Sequence, residues 1–109
     1  MPPTWSTTPS PAPSADRAAG VLLGCAVGDA LGAGYEFTSA ASLPDRIDMV
    51  GGGLGGFAPG EWTDDTSMAL CVAEAAAAGL DLRCPAGLDA VAARRSRATS
   101  STERARKPA

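Results

Sequence analysis

The chain has no histidine, and that absence removes more chemistry than any other feature of its 109 residues. Zinc sites lose their usual nitrogen ligand, and histidine-based nucleophilic triads lose their base. Cysteine is scarce too. Cys25, Cys71 and Cys84 are odd in number and form no Cys-x-x-Cys pair, so free thiols in a reducing cytoplasm are expected. Aromatic residues make up only 5% of the chain, so any core must be built from small side chains. Long apolar runs are missing as well. The stretch "GVLLGCAVGDALGA" is interrupted by Asp29, short of the roughly 20 residues that a membrane span needs. The segment "RAAGVLLGC" resembles a lipoprotein cleavage box, but its apolar run of about six residues falls below the usual h-region, so no membrane attachment is expected.

Both ends lack what a fold requires. Residues 1–15 hold five of the nine prolines and no charged side chain, and residues 94–109 hold six bases and no apolar side chain larger than alanine. Neither can bury enough surface to offset its ordering entropy, so disorder is expected in both. That leaves residues 16–93 as the foldable part, a size at which a single core is marginal. The net charge of −3 hides an asymmetry: residues 1–93 carry eleven acids and three bases, while the tail carries six bases and one acid. An acidic body argues against nucleic-acid binding and suits a cation site; the basic tail reads as a solvated end.

Residues 16–33 read as a helix, with Ser14 or Asp16 as its cap. Glycine stands at positions 20, 24, 28 and 32, and each costs about 1 kcal/mol against alanine in a helix interior. Such a row is expected where a helix meets neighbouring backbones closely, inside a helical bundle. A membrane dimer motif is excluded by Asp29. Residues 34–60 are mostly loop and include "GGGLGGFAPG", six glycines in ten residues, which fits either a connector or a loop lining a phosphate or sugar site. No Gly-Lys-Ser/Thr follows it, so it is not a Walker A loop. A second helix is expected over residues 64–78, with Met68, Val72 and Ala75 on one face, Cys71 and Ala76 beside them, and Gly79 closing it. A third begins near Pro85, with Leu88, Val91 and Ala92 as its stripe. No strand is expected.

The segment "EWTDDTSMAL" carries the main candidate chemistry. Thr63 reads as an N-cap, with Asp64 and Asp65 in the first turn, where carboxylates meet the positive end of the helix dipole. The same residues read as cation ligands. Two adjacent carboxylates repel, a divalent cation removes the repulsion, and magnesium prefers hard oxygen donors. The two readings are compatible at one loop-to-helix junction.

"GVLLGCAVGDALGAGYEF" followed by "GGGLGGFAPGEWTDDTSMALCVAEA" resembles the N-terminal part of the ADP-ribosylglycohydrolase family, over residues 17–79 or so. The resemblance implies an all-α fold and a hydrolase that removes ADP-ribose from modified protein side chains or related small molecules, using two magnesium ions. It implies Thr63, Asp64 and Asp65 as ligands of the first metal segment and Glu36 at the substrate site. Glu36 and Asp65 are then the expected catalytic residues, with Asp64, Asp65 and Glu36 all open as the base. The family's late Asp-x-Asp-Thr/Ser segment has no counterpart here, so at most part of the metal site is expected. A frameshift or early stop after residue 93 is the corresponding expectation, with no turnover by the 109 residues alone. The alternative is an inactive fragment or small non-catalytic binding module. The sequence sets neither the acceptor residue nor the oligomeric state.

Overall fold

The computed structural model describes residues 14–106, with side chains through Ala98. The expectations for residues 1–13 and 107–109 lie outside the described residues. Ser14 starts the first helix: its backbone is extended and its Oγ accepts the amide of Arg17, satisfying one of the helix's orphan donors. Helix α1 (Ala15–Gly32) tightens into a short 3₁₀ turn, Ala33–Tyr35, and a second such turn covers Ala40–Ser42. Helix α2 (Asp64–Ala77) is capped by Thr63, whose Oγ1 accepts the Asp65 amide. It ends where Gly79 enters the left-handed region at φ 77°, with Gly79 N–H bonded to the Ala76 carbonyl and Leu80 N–H to the Ala75 carbonyl, a Schellman closure. Helix α3 (Pro85–Arg106) has proline at its first position, where no helical N–H partner is lost. Among the described residues the only pairing outside helices and turns is the bridge between Gly52 and Phe57. The fold is all-α.

Helix α2 lies in the middle and packs against both α1 and α3, and among the described residues no contact links α1 to α3. The core is small side chains: Ala30 from the end of α1, Ala33 from the 3₁₀ turn that follows, and Cys71 and Ala75 from α2. No large side chain is fully buried among the described residues. A core of methyl groups and one thiol removes little apolar area from water, so specific polar contacts weigh more in holding α1 to α2.

Several sequence expectations are corrected here. The glycine row of α1 does not face a close neighbour: a Cβ added at Gly20, Gly24, Gly28 or Gly32 would meet nothing within 4 Å. Val21 and Leu23 are 72% and 64% exposed on the same helix. On α2 the buried line runs through Thr66, Cys71 and Ala75, while Val72 is exposed. On α3 the covered line runs through Gly87, Ala90, Val91 and Arg94, and Leu88 and Ala92 point to solvent. Gly87 is there because a Cβ would strike the Asp81 carbonyl, and the Arg94 side chain lies against Glu74 of α2 at 3.7 Å. Helix α3 also continues past Arg94 to Arg106, where an unstructured tail was expected. Alanine and arginine are strong helix formers, so the backbone pattern outlasts the apolar face.

By length and composition alone, the 21 residues Ala15–Tyr35 are long and apolar enough to cross a membrane, with an 18-residue window of mean hydropathy 1.4. Asp29 therefore does not cut the apolar stretch short of a span's length. Asp29 matters differently, as a tie to α2.

A candidate active-site cleft at the start of α2

Asp29 sits one turn before the end of α1, beside the N-terminus of α2. Its Oδ1 accepts the Thr63 hydroxyl at 2.7 Å. Its Oδ2 accepts the Thr63 amide at 2.9 Å, the Thr66 amide at 3.1 Å and the Thr66 hydroxyl at 2.6 Å. Thr63 and Thr66 are buried, and these four bonds satisfy their polar groups. Partial burial on its own pushes the Asp29 carboxyl upward and is the largest single influence. The side-chain bonds from Thr63 and Thr66, followed by their backbone bonds, outweigh it and hold the group below its ordinary value. Charge-assisted bonds of this kind are the strong ones, and here they join two helices with few other ties.

A cleft of about 330 Å³ opens beside this junction, at the small end of the roughly 300–1,000 Å³ typical of ligand sites. Gly28, Asp29 and Gly32 from α1, Tyr35 and Glu36 after it, and Thr63 and Asp65 at the start of α2 line it. Two of the glycines in the α1 row thus border open space rather than a packed neighbour. Glu36 arrives through a tight turn in which the Thr38 amide bonds the Tyr35 carbonyl and Phe37 adopts φ 63°. Left-handed backbone is uncommon for a bulky residue and costs on the order of 1–3 kcal/mol. Tyr35 anchors that turn, its hydroxyl bonding both the amide and the carbonyl of Asp48 at 3.2 Å.

The expected site residues therefore meet unevenly. Glu36, Thr63 and Asp65 come together in one cleft, while Asp64 is exposed and not among its lining residues. Among the described residues no hydrogen bond or ion pair engages the carboxylates of Glu36, Asp64 or Asp65. Among the described residues no three acidic or cysteine side chains gather into a cluster able to hold a metal ion. The donor set suits magnesium only in part: two carboxylates and one threonine oxygen are hard donors, and a magnesium ion here would keep several waters. The glycine segment does not line the cleft. Instead Gly53, at φ 67°, lies against the Ala33 carbonyl, and Gly51, also at φ 67°, lies against the Phe57 carbonyl, so this loop braces the end of α1.

Asp29 is the residue that sequence reasoning missed as part of the site. A single charged group on an otherwise apolar, glycine-rich helix was the available signal, since such a group must find partners when the helix packs.

A family model described as ADP-ribosylglycohydrolase matches residues 10–108, a span that takes in the basic segment. ADP-ribosylarginine hydrolase Tri1 of Serratia proteamaculans (strain 568) is 51% identical over 76 residues, covering 66% of this chain and 20% of the relative. The protein of the same name from Pseudomonas putida (strain GB-1) is 52% identical over 80 residues, with the same two shares, 66% and 20%. An ADP-ribosyl-dinitrogen-reductase glycohydrolase of Rhodospirillum rubrum is 45% identical over 67 residues, covering 58% of this chain and 23% of the relative. The chain thus spans about a fifth of the length of these curated relatives. No solved structure matches.

Proposed function

The chain belongs to the ADP-ribosylglycohydrolase family, and from that premise we propose that it supplies one wall of a cleft that hydrolyses the glycosidic bond between ADP-ribose and a protein side chain. Arginine is the proposed acceptor, because two of the relatives are named ADP-ribosylarginine hydrolases. The observation that carries the reading is that Glu36 and Asp65, from different elements, border the same cleft as Thr63.

The carboxylates of Glu36 and Asp65 are unengaged among the described residues, so either can take a proton from an attacking water. Thr63, Asp64 and Asp65 would hold magnesium, at most part of the pair of ions expected for the family. Such ions, when bound, lower the pKa of a coordinated water and neutralise charge on the departing group. The Asp29 bonds keep the Thr63 backbone and hydroxyl in one place, so the ligand oxygens start from a fixed geometry. The cysteines are free thiols, consistent with a reducing compartment, and a cytoplasmic location is proposed on that basis.

A second reading is favoured by one observation: the described residues gather no three-ligand acidic cluster. In that reading the chain is a non-catalytic binding module with half a metal site. Incubation with an ADP-ribosylarginine-modified protein, with and without magnesium, separates the two. No release of ADP-ribose is expected from the 109 residues alone. Magnesium-dependent release that disappears in Asp65→Asn would move catalysis into this chain and end the second reading.

A further inference from the structure

The two oxygens of Asp29 are used unequally. Among the described residues Oδ2 receives three donors, the amides of Thr63 and Thr66 and the Thr66 hydroxyl, while Oδ1 receives only the Thr63 hydroxyl. That single bond decides what Thr63 can offer. A hydroxyl has one proton and two lone pairs. The proton of Thr63 goes to Asp29 at 2.7 Å, and one lone pair accepts the Asp65 amide at 3.3 Å. Among the described residues no donor takes the other lone pair.

We infer that Asp29 is the positioning residue of this cleft: by taking the Thr63 hydroxyl proton, it leaves an oxygen lone pair of Thr63 free for a divalent cation. The inference rests on the magnesium reading above. A neutral hydroxyl binds a cation only through a lone pair, with its proton turned elsewhere, and a partner that holds this proton makes the oxygen a better donor. Without an acceptor on that side, the proton is free to turn toward the cation and repel it.

The asymmetry makes Asp29→Asn a sharp probe. The amide keeps its carbonyl oxygen on the side with three donors, so its NH₂ faces Thr63 Oγ1. Thr63 must then accept from both the new amide and Asp65 N–H. Both lone pairs are consumed and the proton is expelled toward the cation side. Volume barely changes, but the polarity of one hydroxyl is inverted.

The test titrates the full chain with manganese, followed by electron paramagnetic resonance of the free ion, and with magnesium by calorimetry. Asp29→Asn is expected to weaken manganese binding roughly 10–100-fold. Thr66→Val removes a bond to the same carboxylate without touching the Thr63 hydroxyl, and its manganese affinity is expected to stay at the wild-type value. Equal losses in both variants make Asp29 merely structural and overturn the inference, as does wild-type affinity in a folded Asp29→Asn. Absence of manganese binding by the wild-type chain overturns the magnesium reading itself and the inference with it. Should Asp29→Asn fail to fold, the Thr63 hydroxyl proton of the magnesium-loaded wild type decides by NMR. A slowly exchanging, bonded proton is the expected result; a freely exchanging one overturns the inference.

Discussion

The two halves of α1 carry the same spacing of glycines and meet different fates. In the first half, Gly20 and Gly24 face open space, and Val21 and Leu23 are exposed. In the second half and the turn that follows it, Ala30 and Ala33 are buried, Asp29 bonds four donors of Thr63 and Thr66 at the start of α2, and the glycine loop closes over the Ala33 carbonyl. The comparison teaches that small residues permit close packing but do not cause it. What binds the second half is one carboxylate, placed where two threonines and a helix N-terminus need an acceptor.

The largest effect expected to break this contrast is Gly53→Ala. Its φ of 67° and the Ala33 carbonyl, 2.6 Å from where a Cβ would lie, together oppose any side chain. A loss of about 3 kcal/mol is expected from backbone strain plus overpacking, measured by urea unfolding. A loss below about 1 kcal/mol would mean that the loop is not pressed against α1.

Next in size is Asp29→Ala, which leaves two amides and two hydroxyls of α2 without their acceptor. The expected loss is about 2–3 kcal/mol, since bonds to a charged group carry roughly 1.5–3 kcal/mol and some water will enter the opened site. Acid should shrink the difference. Because the Asp29 carboxyl is held below its ordinary value in the folded chain, its contribution is full above the unfolded value of about 3.9. It is lost as pH falls through the lower folded value. Thermal melts of wild type and Asp29→Ala should therefore converge below about pH 4; a gap that stays constant into stronger acid would contradict the assignment.

The smallest effect carries the opposite sign. Gly24→Ala in the exposed half should stabilise the chain by about 0.5–1 kcal/mol, because alanine restricts the unfolded chain and nothing obstructs its methyl. A clear destabilisation would show that this face is covered in solution, and would restore the expectation of a close neighbour.

Much of the local structure was legible in advance because local chemistry decides it. Ser14 and Thr63 start helices by supplying an oxygen to orphan amides, and Gly79 ends one because its left-handed φ needs no Cβ. The approach of Glu36 and Asp65 was legible only through the family resemblance, since nothing in their spacing along the chain brings them to one cleft. The glycine row misled, because spacing reports which residues share a face and not what that face meets. The glycine loop was read as connector or ligand loop and proved to be a brace.

Sequence alone settled where the three helices begin, where α1 and α2 end, the all-α class, and the presence of two adjacent carboxylates on a first helical turn. Those features depend on bonds within a few residues of one another. Only the tertiary structure decided that Asp29 belongs with Thr63 and Thr66, and that Glu36 shares a cleft with Asp65. The physical reason is that a part-buried carboxylate takes its meaning from the donors around it, and those donors stand at the start of another helix.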